Sequence, residues 1–184
     1  MVEIVLWDTA ESRQAASELL GGAGDRWLHV QRVATVVEEF AHLRPVGSAI
    51  LSAAWLHDIG YAAELVMTGM HAIDGAMFLD RAGAPTEVVS LVAFHTGAEF
   101  EADERGLVDE LARFSPPKQD DLDLLILADL LSSPRGERTT VTKRLDEILD
   151  RYERQHPVHR AVMRSRTHLE ESARRAAVRI GYPI

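Results

Sequence analysis

The sequence predicts an all-α fold, a bundle of roughly seven to nine helices, and two observations support this class. Apolar residues recur at i, i+3, i+4 and i+7 in most segments between turn residues, which is the spacing of one helix face. No segment shows the sustained apolar–polar alternation of a strand, and no repeat of fixed length is evident. We therefore expect helices packed around one core.

Length and composition indicate a soluble, single-domain protein. A chain of 184 residues fits one domain spanning 1–184. Apolar residues make up 46% and charged residues 27%, which is ordinary for a globular protein. No apolar run approaches the ~20 residues of a membrane span, so no membrane partner is expected. A net charge of −9 argues against a nucleic-acid polymer as partner.

The chain contains no cysteine, which excludes disulfides and leaves only nitrogen and oxygen ligands for any metal. The N-terminus turns acidic at once and lacks the basic segment of a secretory signal. A cytoplasmic location is therefore expected.

The first two helices have clear boundaries. Asp8 and Glu11 form a capping-box pattern that opens a helix ending at Gly21–Gly22. A second helix starts at about Asp25, and its apolar face carries a histidine. That face consists of His29, Val33, Val36, Val37 and Phe40.

Two further helices follow a turn at Pro45 and Gly47. The first has an apolar stripe of Ile50, Ala53, Ala54 and His57. Gly60 is expected to act as the C-terminal stop of this helix. The second helix begins near His71 and ends at 83–85, where the sequence is Gly-Ala-Pro.

The second half of the chain continues the same pattern. One stripe runs from Val88 to His95, and another from Leu122 to Asp129. Between them, residues 97–119 are acidic and are expected to form a mobile insertion with one short helix. Helices over 141–152 and 157–180 complete the chain. The last one has an apolar side that packs on the bundle or against a second copy of the chain, as a homodimer.

Three stripes end in a side chain that can bind a metal, namely His57, His95 and Asp129, and His29 opens a fourth. A buried carboxylate without a partner costs several kcal/mol. A divalent ion is the simplest object that satisfies imidazoles and carboxylates together. Adjacent helical residues diverge by ~100°, so Asp58 is expected in the last turn, where it can swing toward the same centre and bridge two ions.

These residues resemble the pattern of the HD superfamily of metal-dependent phosphohydrolases: a histidine, a His-Asp dyad and a distant aspartate on helices of an all-α bundle. Here they are His29, His57–Asp58 and Asp129, within a core of about 25–135. The resemblance leaves the N-terminal helix and the two C-terminal helices as flanks packed on that core.

Two more histidines resemble the two-metal branch of this superfamily, which includes bacterial symmetrical dinucleoside tetraphosphatases. His71 precedes a Gly-Ala pair, and His95 opens His-Thr-Gly. The resemblance implies one ion held by His29, His57, Asp58 and Asp129. It implies a second ion held by His71, His95 and the bridging Asp58. Iron or manganese is expected rather than zinc, magnesium or nickel.

The chain also departs from the family pattern. Many two-metal members have a lysine three residues after the dyad's aspartate, where this chain has Tyr61. Its HD-like core of about 25–135 lacks the Gly-Tyr-Pro signature of the cyclic-dinucleotide phosphodiesterases, and the Gly-Tyr-Pro at 181–183 lies outside this core, so their activity is not expected. Arg26 and Arg135 resemble tetraphosphatase positions, and guanidinium groups bind phosphate oxygens bidentately.

The resemblance implies hydrolysis of a phosphate ester or phosphoanhydride of a small substrate, with nucleotides included, by metal-activated water. Asp58, Arg26 and Arg135 are the expected catalytic residues, and 97–119 is the expected lid. The acidity of that segment suits a polyanion poorly. Two alternatives use the same ligands: a di-iron oxygenase acting on a small polyol or phosphonate, and a regulatory metal-binding module with little turnover.

Overall fold

A computed structural model describes residues 7–184 of the chain; residues 2–6, left unclassified from the sequence, lie outside this range. The prediction of an all-α bundle is confirmed, because the described residues contain α-helices, 3₁₀ turns and one isolated bridge but no strand. The helices are α1 Thr9–Leu20, α2 Asp25–Leu43, α3 Ser48–Leu56, α4 His71–Arg81, α5 Thr86–Phe94, α6 Ala98–Arg105, α7 Val108–Leu111, α8 Gln119–Leu130, α9 Val141–Arg151 and α10 Pro157–Ile180.

The start of α1 has the predicted capping box. The Asp8 side chain accepts hydrogen bonds from the backbone nitrogens of Ala10 and Glu11, and Glu11 accepts one from the backbone nitrogen of Asp8. These bonds satisfy backbone donors that the first helical turn leaves free.

Helices α3 and α8 form the centre of the bundle. α3 packs against α1, α2, α5 and α8, and α8 also packs against α2 and α10. Every residue from Leu122 to Leu130 is buried. The polar residues of this stretch are buried with it and need partners within the fold. Asp129, near the end of α8, is one of them.

The C-terminal helix α10 packs on the bundle, against α8, α6 and α9. The apolar side chains predicted for one of its faces, from Val162 to Ile180, are buried there. A bidentate ion pair between Arg175 and the buried Asp123, with two N–O distances of 2.8 Å, ties α10 to α8. No helix among residues 7–184, this one included, is long and apolar enough to span a membrane.

The acidic segment differs from its prediction, because it contains two helices, α6 and α7, rather than one. α6 buries only Ala98 and Ala102, so the sequence shows no apolar stripe there. Its acidic residues instead form ion pairs with arginines of α10. These pairs are Arg160–Glu104, Arg164–Glu104 and Arg164–Asp103. The docked helix α6 therefore depends on a partner that is distant in sequence.

Gly60 also has a different role from the predicted one. α3 ends four residues earlier, at Leu56, and Gly60 lies in a 3₁₀ turn over Ile59–Tyr61. A Cβ atom on Gly60 would lie 2.6 Å from the backbone nitrogen of Gly75 and closer still to the carbonyl oxygen of His71. Glycine is therefore required here by the close approach of α4 and not by a helix stop.

Candidate metal centre

Three of the predicted ligands meet in a first triad, which consists of His29, His57 and Asp129. His29 comes from α2, His57 caps α3 and Asp129 lies in α8, and all three are buried. The Nε2 atoms of the two histidines are 3.4 Å apart, and His29 Nε2 lies 3.0 Å from Asp129 Oδ1. One ligand atom from each residue falls within 4.8 Å of the others, a spacing that could hold one metal ion.

The other three ligands form a second triad of Asp58, His71 and His95. His71 opens α4, and His95 directly follows α5. Their Nε2 atoms are 3.2 Å apart, and His71 Nε2 lies 3.4 Å from Asp58 Oδ1. One ligand atom from each of these three residues also lies within 4.8 Å of the others.

Asp58 lies between the two triads and faces each with a different oxygen. Oδ2 is 3.5 Å from His57 Nε2 and 3.8 Å from His29 Nε2. Oδ1 is 3.4 Å from His71 Nε2 and 3.9 Å from His95 Nε2. Asp58 has φ −104° and ψ 6°, outside the helical region, so it can face the same centre as its neighbour His57.

The position of His71 depends on a carboxylate one turn later in α4. Buried Asp74 accepts hydrogen bonds from the backbone nitrogens of Thr68, at 2.8 Å, and Gly69, at 3.1 Å. These bonds order the loop that leads into α4. They therefore set where the helix begins and where His71 projects.

Hydrogen bonds to backbone carbonyls orient three of the imidazoles. The Nδ1 atoms of His29, His57 and His95 lie 3.2, 2.9 and 2.7 Å from carbonyl oxygens of Ser133, Ala54 and Val92. A carbonyl can only accept, so Nδ1 carries the hydrogen and Nε2 directs a lone pair toward the centre.

The donor set fits divalent ions. Lone pairs of His29 and His57 that face each other at 3.4 Å repel unless a cation lies between them. Two imidazole nitrogens bound to one ion at about 2.0–2.1 Å are roughly 2.9–3.4 Å apart, which matches both histidine pairs. With carboxylates completing each triad, the residues present suit a metal bound by nitrogen and oxygen.

The charge states of these groups at neutral pH also suit a metal. Burial lowers the pKa of His57 to about 4 and that of His71 to about 3, so both imidazoles are neutral and free to coordinate. Burial opposes ionisation of Asp58, but Arg26 holds the pKa of this carboxyl well below its usual range. Burial also opposes ionisation of Asp129, but the neighbouring His29 imidazole holds the pKa of this carboxyl below its usual range. Both carboxylates are therefore charged.

Tyr61 lies between a ligand and an arginine. Its ring stacks on His71 with centroids 4.1 Å apart and 15° between the planes. The Arg26 guanidinium carbon lies 3.9 Å from the centroid of the Tyr61 ring, and Arg26 Nη1 is 2.5 Å from Asp58 Oδ2. Tyr61 thus holds Arg26 and His71 through its ring.

We therefore expect Tyr61→Phe to keep its metal content and its activity within about twofold, because the stack remains. Tyr61→Ala removes the ring and should lower metal affinity or activity by about 10- to 100-fold, the usual cost of losing an outer-shell partner. Metal titration of the two variants measures this. A Tyr61→Phe protein as defective as Tyr61→Ala would show that the hydroxyl, and not the ring, is what matters.

Thr96 is a site residue that the ligand pattern alone did not single out. Its φ of 46° and ψ of 46° place a β-branched residue in the left-handed region, which is uncommon and strained. Its hydroxyl donates a short hydrogen bond to Asp129 Oδ2, which leaves Oδ1 to face His29. The unusual backbone of Thr96 thus orients the carboxylate of Asp129.

A cavity that is partly open to solvent lies over the two triads. Arg26 and Tyr61 line it near the ligands, and α9 and α10 supply its other wall. The wall residues are Arg144, Ile148, Arg151, Tyr152, Val158, Ala161, Val162 and Ser165. The sequence interpretation missed this contribution, because an arginine-rich helix is usually a solvated face.

The two predicted phosphate-binding arginines have different positions. Arg26 reaches the centre through its contact with Asp58. Arg135 is exposed and lines an adjacent cavity, which Arg26, His29 and Arg151 also line. Arg135 is therefore near the site but outside the cavity that covers the triads.

The acidic segment contributes little free negative charge to the cavity. Glu101 is the acidic residue of 97–119 that lines it, and its carboxylate is 2.6 Å from Arg105 Nε. Glu104 is paired with Arg160 and Arg164 of α10. The objection that this segment repels a polyanion is therefore weaker than the sequence suggested.

Comparison with protein families gives a match to the HD domain over residues 26–155. The match extends past the core of about 25–135 expected from the motifs, and it includes α9 with Arg144 and Arg151. No curated protein and no solved structure gives a significant match. The closer resemblance to the two-metal tetraphosphatases stays a prediction.

Proposed function

Because the chain belongs to the HD-domain family, we propose that it is a metal-dependent phosphohydrolase that cleaves a phosphate ester or phosphoanhydride of a small substrate. One observation carries this proposal: two ligand triads share Asp58 on the floor of a cavity that Arg26 also lines. Metal ligands and a guanidinium in one cavity are what phosphoryl transfer requires.

In this proposal, His29, His57 and Asp129 hold one ion and His71 and His95 the other, and Asp58 is ligand to both. The absence of thiolates and the mixed nitrogen and oxygen ligands are compatible with iron or manganese. When bound, such ions would lower the pKa of a coordinated water and offset the charge of the phosphoryl oxygens.

The protein's own part is to bind and orient the phosphate. Arg26 can donate two parallel hydrogen bonds to phosphate oxygens, and its stacking on Tyr61 limits its freedom. Arg135 would act only on a substrate that extends into the adjacent cavity. α6 borders the site through Ala98 and Glu101, so the segment 97–119 could close over a bound substrate as a lid.

The arginines favour hydrolysis over an oxygenase that acts on a neutral polyol, whereas oxygen dependence of turnover separates hydrolysis from oxidation of a phosphonate. Arg26, Arg144 and Arg151 all line the cavity over the triads. An oxygenase acting on a neutral polyol has no need of three guanidinium groups, whereas a phosphate ester carries the matching charge. The regulatory alternative predicts bound metal without turnover.

The test is a panel of mono- and diphosphate esters and dinucleoside polyphosphates, assayed with Mn²⁺ and Fe²⁺ while bound metal is measured. We expect phosphate release that a chelator abolishes and that continues without oxygen. His29→Ala should lose it, and His42→Ala, an exposed histidine on the same helix, should not. Stoichiometric metal without phosphate release from any substrate would contradict the proposal, and oxygen-dependent turnover would support the oxygenase.

A further inference from the structure

We propose that Arg144 and Arg151, bridged by Glu147 on α9, form a second anion-binding subsite in the cavity over the triads. The substrate would then carry a second anionic group, a carboxylate or a phosphate, besides the phosphate at the metal centre. This inference rests on the proposed function, which identifies the group at the metal centre as a phosphate. It adds that the substrate class carries two anionic groups.

The subsite lies on one face of α9. Arg144, Ile148 and Arg151 are spaced i, i+4 and i+7, and all three line the cavity. Arg144 lines the same cavity as Asp58 and Asp129 of the triads. One small ligand can therefore contact both the triads and this face.

Arg144 is buried although one of its hydrogen-bond donors has no partner. It is only 6% exposed, and its Nε has no hydrogen-bond partner among the described residues. Its Nη1 donates to Glu147. A buried, unsatisfied donor on a charged group is costly, and Arg144 lines the cavity in which an anion would supply hydrogen-bond acceptors to its guanidinium.

Glu147 holds the two guanidinium groups together. Arg151 Nε lies 2.8 Å from Glu147 Oε1, and Arg151 Nη2 lies 2.6 Å from Oε2. Glu147 thus compensates only one of two positive charges. The cluster Arg144–Glu147–Arg151 keeps a net charge of about +1, with both arginines oriented before a ligand arrives.

The rest of this wall indicates what joins the two anionic groups. Ile148, Ala161 and Val162 on this wall offer no side-chain hydrogen bonds, whereas Tyr152 and Ser165 can bind a hydroxyl group. A short hydrocarbon part with few hydroxyl groups fits this surface. The substrate class is therefore a small organic phosphate with a second acidic group.

Three phosphonates test this class without being hydrolysed: propylphosphonate, 3-phosphonopropanoate and propane-1,3-bisphosphonate. Their binding to the Mn²⁺-loaded protein is measured by calorimetry. The added acidic group should tighten binding by about tenfold or more, the effect of one charge-assisted hydrogen bond. Comparing the last two compounds shows whether a carboxylate or a phosphate is preferred.

Variants of the two arginines test whether the tighter binding of the diacids depends on this subsite. Arg144→Gln and Arg151→Gln should abolish the difference between the compounds, because they weaken the binding of the two diacids far more than that of propylphosphonate. Arg151 is partly exposed, so its variant tests the subsite even if Arg144→Gln does not fold. Arg166→Gln is the matched control, since Arg166 is paired with Asp146 and Glu170 outside the cavity.

The outcomes separate the two proposals. If neither diacid binds more tightly than propylphosphonate, including the case in which none binds, the subsite is wrong whatever the enzyme hydrolyses. If the diacids bind more tightly through Arg144 but no phosphate ester is cleaved in the activity panel, the subsite stands and the proposed hydrolysis fails.

Discussion

Asp58→Asn is expected to reduce the bound metal from two ions to at most one and to lower phosphohydrolase activity by more than about 100-fold. The loss of an outer-shell partner alone usually costs 10- to 100-fold, and Asp58 faces both triads directly. Without its carboxylate the second triad keeps only the histidines His71 and His95, whereas the first keeps Asp129. The ion of the second triad should therefore be lost first.

Two further variants show whether the effect of Asp58→Asn is specific to a carboxylate that faces both triads. His71→Ala should also lose the ion of the second triad but leave the first at nearly its original affinity, because His71 faces only one oxygen of Asp58. Asp80→Asn, an exposed carboxylate on α4, should change neither metal content nor activity. Metal analysis after dialysis measures all three. An Asp58→Asn protein that retains two ions would show that Asp58 is not the shared ligand.

Gly60→Ala is expected to destabilise the protein by about 3 kcal/mol, at the upper end of the usual cost of overpacking. The added methyl would overlap the His71 carbonyl and lie 2.6 Å from the Gly75 nitrogen, and both neighbours are backbone atoms that cannot rotate away. α4 would have to move, and His71 at its first position would move with it. Denaturant unfolding of the metal-free protein measures the loss.

Gly22→Ala is the matched control for this substitution. A Cβ atom at Gly22 meets nothing within 4 Å, so its variant should change the free energy of unfolding by no more than about 1 kcal/mol. The displacement of α4 should also weaken the second triad more than the first. Equal stability of the two variants would mean that the contact between the 3₁₀ turn at Gly60 and α4 is not tight in solution.

Periodicity was sufficient to predict most of the fold, because an apolar stripe records which side of a helix is buried. It predicted the all-α class and the direction in which His29, His57, His95 and Asp129 point. It failed for α6, whose burial rests on two alanines and whose other contacts are ion pairs with α10. Ion pairs between distant segments leave no local pattern in a sequence.

The ligand residues were predictable for a similar reason. A histidine or an aspartate that ends an apolar stripe is directed into the core, and several such residues need a common partner. The positions of Arg144 and Arg151 in the cavity wall could not be predicted in this way, because an arginine has the same sequence pattern whether its helix faces water or a cavity. Only the packing of α9 and α10 over the triads distinguishes these cases.

The His57–Asp58 stretch shows both what the sequence determines and what only the tertiary structure decides. The sequence by itself determined that the dyad ends an apolar helix, where Asp58 can turn toward the same centre as His57. Only the tertiary structure decided that Asp58 faces two triads, that the Tyr61 ring stacks on His71, and that Gly60 is required by the backbone of α4. The physical reason is that helical periodicity is a local property, whereas each of these contacts joins segments that meet only when the bundle closes.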